Sequence, residues 1–241
     1  EADNIKKVAD QENYQKKFQM THQYRYFPAT LKAKQLIENG FLGQVYGFRA
    51  QYLHSGYINE KRPMSWRLNK DKAGSGALGD LGSHALDLMY HLLGSFKKIS
   101  STQKTFIKER PLPGDSKKTE KVKVDDITNV LIHLKNGGVG TLEAWRLATG
   151  SEDELRFEIH GSQGALRFNL MKPNWLEIYD ATEKSEPMGG ESGWKKISTI
   201  QKYPEPSNFP SSKCPIGWMR AHVECLHSFL DSIKNNKNTS P

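Results

Sequence analysis

The sequence predicts an α+β fold: an open, mostly antiparallel β-sheet covered on one face by helices. Three observations carry that prediction. Short runs rich in β-branched and aromatic residues follow one another through the second half of the chain, separated by turn signals. One of those signals, Asn136-Gly137, is the pair a tight hairpin favours, and consecutive hairpins make neighbouring strands antiparallel. The helical segments are few and gather before and after this meander, which segregates helices from sheet.

In chain order, residues 1–17 are polar with apolar positions at Ile5, Val8 and Ala9, and read as a helix with one weak buried stripe. Residues 18–26 read as a strand. Pro28 opens a helix that carries Leu31, Leu36 and Ile37 and stops at Asn39-Gly40, with proline in the first turn and glycine past the last. Residues 45–53 read as a strand. The stretch that follows holds Gly56, Pro63, Gly74, Gly76 and Gly79 without periodicity, and a loop that long is usually functional or disordered. Over residues 80–93, Leu81, Ala85, Leu88 and Leu92 recur at helical spacing, with Gly94 at the stop. Strands are then expected at 99–107, 127–134, 139–147, 155–160, 165–170 and 175–179, with a further one over 194–200. Residues 108–121 and 181–191 are polar insertions bearing Gly and Pro, and read as surface loops. A closing helix over 215–233 places Trp218, Val223, Leu226, Phe229 and Ile233 on one face. Leu131, Trp145 and Phe157 make the uncovered face of the sheet partly apolar, which points to a homodimer or homotetramer packing sheet on sheet.

At 241 residues, 36% of them hydrophobic and 26% charged, the chain has the length and composition of a globular protein with its own core. Its net charge of +8 suits a polyanionic partner, but the lysines fall in ones and twos (Lys6, Lys7, Lys97, Lys98, Lys117, Lys118). Without a basic block or a nucleic-acid module, no nucleic-acid partner is expected and the charge reads as a solvated surface. No apolar run reaches the roughly 18 residues of a membrane span, and the start EADNIKK does not read as a signal peptide. Cys214 and Cys225 stand too many helical turns apart for an easy disulfide, so a reducing, cytoplasmic setting is expected.

Chemistry concentrates on the helix over residues 80–93. Asp80, His84, Asp87 and His91 recur at spacings of four, three and four, and line one stripe beside the apolar one. A carboxylate one turn before a histidine can orient the imidazole by a hydrogen bond and stabilise its protonated form. Histidine's ordinary pKa of about 6.5 suits that pair to acid/base work near neutrality. Asp and His four residues apart can equally chelate zinc or a similar ion. A solvated or internally paired polar edge accounts for the same stripe with no chemistry at all. The lead-in from Gly74 to Gly79 lets backbone approach a ligand closely and, at a helix start, could face an anion or a carbonyl.

The run SWRLNKDKAGSGALGDLGSHALDLMYHLLG over 65–94 resembles the Trp-Arg, glycine-rich, Asp-x-Gly-x-His-x-x-Asp segment of the glucose-fructose oxidoreductase, inositol dehydrogenase and MocA (Gfo/Idh/MocA) family. YRYFPATLKAKQLIENGFLGQVYGFRA (24–50), VDDITNVLIHLKNGGVGTLEA (124–144) and FEIHGSQGALRF (157–168) resemble further segments in the family's order. The resemblance implies a dihydrodipicolinate reductase-like C-terminal domain. It also implies an enzyme whose Rossmann half binds NAD or NADP and which interconverts a secondary alcohol and a ketone on a sugar, inositol or related polyol. By position, it implies catalytic roles for Asp80 and His84, with the imidazole taking or giving the alcohol proton. Trp66 and Arg67 match a pair that lies against the cofactor in some members, with loop anchoring the plainer role for Trp66. Arg25, in the family's Arg-x-x-Pro, could reach a substrate or cofactor oxygen or sit in a structural ion pair. No metal is implied.

Two family features are missing. No G-x-G-x-x-G follows a strand, and the family's Glu-Lys-Pro segment is absent. Residues 1–27 are therefore expected to be the remnant of the end of a Rossmann domain and 28–241 a substrate and oligomerisation domain truncated at its C-terminus, inactive alone. A non-catalytic sugar-binding or oligomerisation module of the same fold is the second reading. A metal-dependent hydrolase or isomerase using Asp80, His84 and His91 is the third. Tyr52, His54, Tyr57, Arg146 and Trp175 could line a pocket, though aromatic residues on strands are more often core.

Overall fold

The computed structural model describes residues 2–11, 19–184, 186–199 and 218–238. The first half holds α1 (Ala2–Ala9), a 3-10 turn (Gln23–Tyr26), α2 (Pro28–Glu38), β1 (Val45–His54), a second 3-10 turn (Trp66–Leu68) and α3 (Lys70–Ala73). A π-helical turn (Leu78–Gly82) leads into α4 (Ser83–Leu93). Then come β2 (Phe96–Lys104), β3 (Glu109–Leu112), β4 (Asp115–Lys121), β5 (Ile127–Leu134), β6 (Val139–Trp145), β7 (Asp153–Gly161), β8 (Gly164–Asn169), β9 (Trp175–Asp180), β10 (Lys195–Ser198) and α5 (Trp218–Lys234).

Eight strands make one open sheet in the order β10-β9-β8-β7-β1-β6-β5-β2. Among the described residues only β1 and β6 run parallel, because β1 is inserted between two strands of the later meander. The α+β architecture is therefore the expected one, an open sheet with β10 and β2 at its edges among the described residues. Asn136 and Gly137 make the β5–β6 hairpin as their types require: Gly137 takes φ 97°, and the Asn136 side chain accepts from the Gly138 amide at 3.2 Å.

Alternation along β1 decides which face is buried. Phe48, Ala50 and Tyr52 point into the core beneath α2 and α4, where Ala33, Leu88, Met89 and Leu92 meet them. Arg49 and Gln51 lie on the other face. Register places Arg49, Glu158, Arg167, Glu177 and Lys196 side by side across β1, β7, β8, β9 and β10, so charges alternate in sign along that row. This corrects the expected apolar face. Phe157 belongs to the core, and Trp145 is half-buried with its indole N–H on Asn129; of the three, Leu131 alone stays exposed, at 46%.

Several elements differ from expectation. Residues 23–26 form a 3-10 turn, not a strand: Thr30 binds the carbonyls of Tyr24 and Phe27 at 2.7 and 2.8 Å, and α5 packs against the turn. The expected loop at 108–121 is the β3–β4 hairpin. Its polarity misled because it sends one large side chain inward, Arg110, which is fully buried. The strand expected at 99–107 runs from Phe96 to Lys104. On α5 the buried positions include Cys225 and Ser232, while Val223, Leu226, Leu230 and Ile233 are exposed. Expectations for 12–17, Phe18, Ser185, Ile200, Cys214 and 215–217 lie outside the described residues.

A second, smaller core of Tyr57, Met64, Leu68, Val122 and Val124 closes the long loop after β1. Arg110 is its polar pin, donating to the carbonyls of Tyr57 at 2.6 Å and Asn59 at 2.7 Å. The Met64 amide reaches the Pro111 carbonyl at 2.8 Å. The hairpin thus clamps the loop that carries Trp66 and Arg67.

Candidate active site

The glycine-rich lead-in does face an anion, and the anion is the chain's own. One oxygen of the Asp125 carboxylate accepts from the Gly76 amide at 2.7 Å and the other from the Leu78 amide at 2.8 Å. The Thr128 hydroxyl binds the second oxygen at 2.8 Å. A Cβ on Gly76 would stand 1.9 Å from the Asp125 carbonyl oxygen, so only glycine lets the backbones meet. Asp125 thereby caps the π-helical turn, and no ligand site opens at its start. The turn is a widened one of the kind often found at functional sites, and Asp80 sits on it.

The four-residue stripe is divided by arginines. Asp80 pairs with the almost fully buried Arg146 at 2.9 Å and more loosely with Arg67 at 3.8 Å. No hydrogen bond joins Asp80 to His84, which corrects the expected steadying contact. Two buried donors, Arg25 Nε at 2.8 Å and Nη2 at 2.6 Å, grip Asp87, with His22 at 3.5 Å. Arg25 thus sits in a structural ion pair, the alternative weighed against a substrate or cofactor contact. His91 lies farther along, its pKa pushed down to about 4 by burial and by Arg25 and Lys34.

Among the described residues His84 makes no side-chain hydrogen bond. Its Nδ1 is buried and makes no hydrogen bond. Three rings meet it edge to face, Tyr24 at 5.3 Å, His22 at 5.7 Å and Tyr52 at 6.2 Å between centroids. Burial lowers the His84 pKa below the ordinary histidine value, His22 adds to that, and Asp80, Asp87 and Asp153 partly offset it. Its resting state near neutrality is therefore the uncharged base.

Beside it runs a short hydrogen-bonded chain. Tyr52 donates to Asp153 at 2.6 Å, and the Tyr24 and Tyr52 hydroxyls lie 2.6 Å apart. Burial, foremost, raises both phenols, Tyr24 to about 12 and Tyr52 further, so both stay protonated. On the outer side, Trp66 is 54% exposed, and the Arg67 guanidinium stacks 4.5 Å from its ring. Leu68 and Met64, both buried, anchor this loop, so Trp66 does not.

Of the residues singled out for a pocket, Tyr52 and Arg146 are in the site. Tyr57 is buried under Arg146, 4.8 Å from its ring centroid. His54 accepts the Gly56 amide at 2.7 Å to close a turn. Trp175 lies on the open sheet face beneath Lys196. Sequence reasoning missed His22, Asp125 and Asp153. Only Asp125 had a signal, in the VDDITN segment; the other two reach His84 through the fold. Among the described residues no three His, Cys, Asp or Glu side chains converge to hold a metal ion, since Arg146 and Arg25 occupy the carboxylates that would be needed. A nicotinamide cofactor fits better: an exposed indole backed by a guanidinium offers a flat face and a charge, and that guanidinium stands 3.8 Å from Asp80.

The family model for the GFO/IDH/MocA C-terminal domain matches residues 30–167, more than half of the chain. Levoglucosan dehydrogenase of Pseudarthrobacter phenanthrenivorans is 32% identical over 230 residues, which cover 90% of this chain and 58% of that protein. The structure of levoglucosan dehydrogenase in complex with NADH and levoglucosan superposes with a TM-score of 0.87 at 32% identity, over 95% of this chain and 60% of that one. An NAD binding oxidoreductase from Klebsiella pneumoniae gives a TM-score of 0.89 at 27% identity, over 100% of this chain and 62% of that one. The chain thus spans about 60% of the length of these relatives. With the fold, the family model and the levoglucosan dehydrogenase relative in agreement, this chain belongs to the Gfo/Idh/MocA family and carries its C-terminal domain.

Proposed function

We propose that the intact protein is an NAD(P)-dependent oxidoreductase that interconverts a secondary alcohol and a ketone on a sugar, inositol or related polyol. This chain is its substrate-binding and catalytic half. Residues 1–27 are the end of the nucleotide-binding portion and 28–241 the substrate domain. One observation carries the reading: His84 is a half-buried imidazole held neutral by burial, its Nδ1 without a hydrogen-bond partner among the described residues, walled by aromatic rings and within the influence of three carboxylates. Such a group is poised to take the proton of an alcohol and, once charged, to return it to an alkoxide.

Bound NAD or NADP supplies the hydride acceptor or donor. Trp66 and Arg67 would hold it, where an exposed indole and its stacked guanidinium stand together. Asp80 acts on the imidazole through space, making the imidazolium less costly while Arg146 keeps the carboxylate from turning away. Arg25 fixes Asp87 on the same helix. The open sheet face supports a homodimer or homotetramer, because its alternating charges are complementary to themselves. The buried free thiol of Cys225 supports a cytoplasmic setting.

The test is to assay the intact protein for reduction of NAD+ and NADP+ with myo-inositol, D-glucose, D-xylose and levoglucosan. Turnover of at least one is expected, with a loss of about 10²–10⁴-fold in His84→Ala and none from the 241-residue chain alone. Failure of every pair, or an unimpaired His84→Ala enzyme, refutes the reading and leaves a non-catalytic module.

A further inference from the structure

Asp153 begins β7 opposite His54 at the end of β1, on the side of the sheet that faces α4. It shares that side with Leu155 and Tyr52, both buried. One carboxylate oxygen receives the Tyr52 hydroxyl at 2.6 Å. A carboxylate has no hydrogen to give, so Tyr52 is the donor, and its only hydrogen is spent. Tyr24, 2.6 Å from the Tyr52 oxygen, must then donate in turn, which makes the chain directional toward Asp153. The Gln23 amide also approaches the Tyr24 hydroxyl. The Tyr24 and Tyr52 rings that hold this chain also wall His84, so the carboxylate and the imidazole are fixed by the same two side chains. The Asp153 charge favours the protonated form of His84, after Asp80 and Asp87.

What distinguishes Asp153 from Asp80 and Asp87 is that no arginine or lysine pairs with it among the described residues. Its second oxygen makes no hydrogen bond there, and the residue is only half-buried. A carboxylate held rigidly by one oxygen, with the other left open beside a catalytic base, is built to accept a hydrogen bond from something that enters. We propose that Asp153 is a substrate-binding residue: its open oxygen accepts a hydroxyl neighbouring the one on which His84 acts, and so selects neutral polyols over sugar acids. The proposal rests on the polyol reading of the site and deepens it. Tyr52 and Tyr24 are positioning residues, acting through Asp153. Like charge and the loss of an O–H donor both disfavour a carboxylate-bearing sugar at that point.

Binding, which needs no hydride transfer, tests this apart from catalysis. Isothermal titration of the intact protein with levoglucosan, myo-inositol and D-glucose, and with D-gluconate as the acid, is compared among wild type, Asp153→Asn and Tyr52→Phe. Melting curves report folding, and Asp153→Asn, nearly isosteric at a half-buried position, covers the case in which Tyr52→Phe does not fold. Wild type is expected to bind at least one neutral probe and to reject gluconate. Both variants should bind that probe about tenfold more weakly, and Asp153→Asn should narrow the preference over gluconate. Monodeoxy analogues of the bound probe separate contact from structure: for the one lacking the recognised hydroxyl, wild type and variants should bind alike. Equal affinity of wild type and Asp153→Asn for every probe overturns the assignment. So does equal weakening for every analogue, or a wild type that binds gluconate as well as glucose or binds no probe. Polyol binding without NAD(P)+ reduction would sink the oxidoreductase reading while leaving Asp153 in place.

Discussion

At the scale of single residues, the site is a set of ionisable groups sorted by what each has been given as a partner. Arg146 takes Asp80, Arg25 takes Asp87, and Tyr52 takes one oxygen of Asp153, while the Nδ1 of His84 has no hydrogen-bond partner among the described residues and three rings stand against the imidazole. The spacing of Asp80 and His84 was legible in the sequence, because four residues bring two side chains to one helical face. Their partners were not, since Arg146 lies 66 positions beyond Asp80 and only the fold brings it back. The lowered pKa of His84 has a consequence with a fixed sign. The base must be neutral to accept a proton, so activity in alcohol oxidation is lost as pH falls through its pKa, below the ordinary value of 6.5. The acid limb of kcat/KM should therefore inflect below 6.5 in wild type and move upward in His22→Gln, which removes a nearby group that depresses it. A limb above 6.5, or one unmoved by His22→Gln, contradicts the assignment.

At the scale of elements, two joints position the chemistry. The first fastens the glycine-rich lead-in to the start of β5 through Asp125, and it tolerates no side chain at position 76. Gly76→Ala should destabilise the domain by about 2–4 kcal/mol, since backbone must shift to relieve the clash, as thermal or urea melts would record. A loss under about 0.5 kcal/mol would show the joint to be slack. The second joint is the β3–β4 hairpin, whose Arg110 holds the loop of Trp66 and Arg67. Arg110→Met should speed proteolytic cleavage within residues 57–72 and raise KM for NAD(P)+ more than it lowers kcat. Unchanged cleavage would mean the second core holds the loop without it. The sequence presented this hairpin as a surface loop, because a lone inward arginine among lysines and threonines carries no apolar alternation to reveal a strand.

At the scale of the whole molecule, one face of the sheet is sealed by helices and the other shows its charges. Arg49, Glu158, Arg167, Glu177 and Lys196 alternate across five strands, a pattern a second copy related by a twofold axis can meet with opposite charges. Sedimentation of the intact protein is expected to give a dimer or tetramer that shifts toward monomer at high salt and in the double variant Glu158→Lys, Glu177→Lys. A wild-type monomer at low salt excludes this use of the face. By itself the sequence determined the strands of the eight-stranded sheet, the antiparallel meander, the helix over residues 80–93 and the shared helical face of Asp80 and His84, because periodicity, turn chemistry and helical spacing are local properties of a chain. Only the tertiary structure decided that Phe157 points inward, that Asp125 occupies the glycine-rich turn, and that His22, Tyr24, Tyr52 and Asp153 surround His84. Those are contacts between segments far apart in the chain. They are set by which strand lies beside which, a choice that no local pattern encodes.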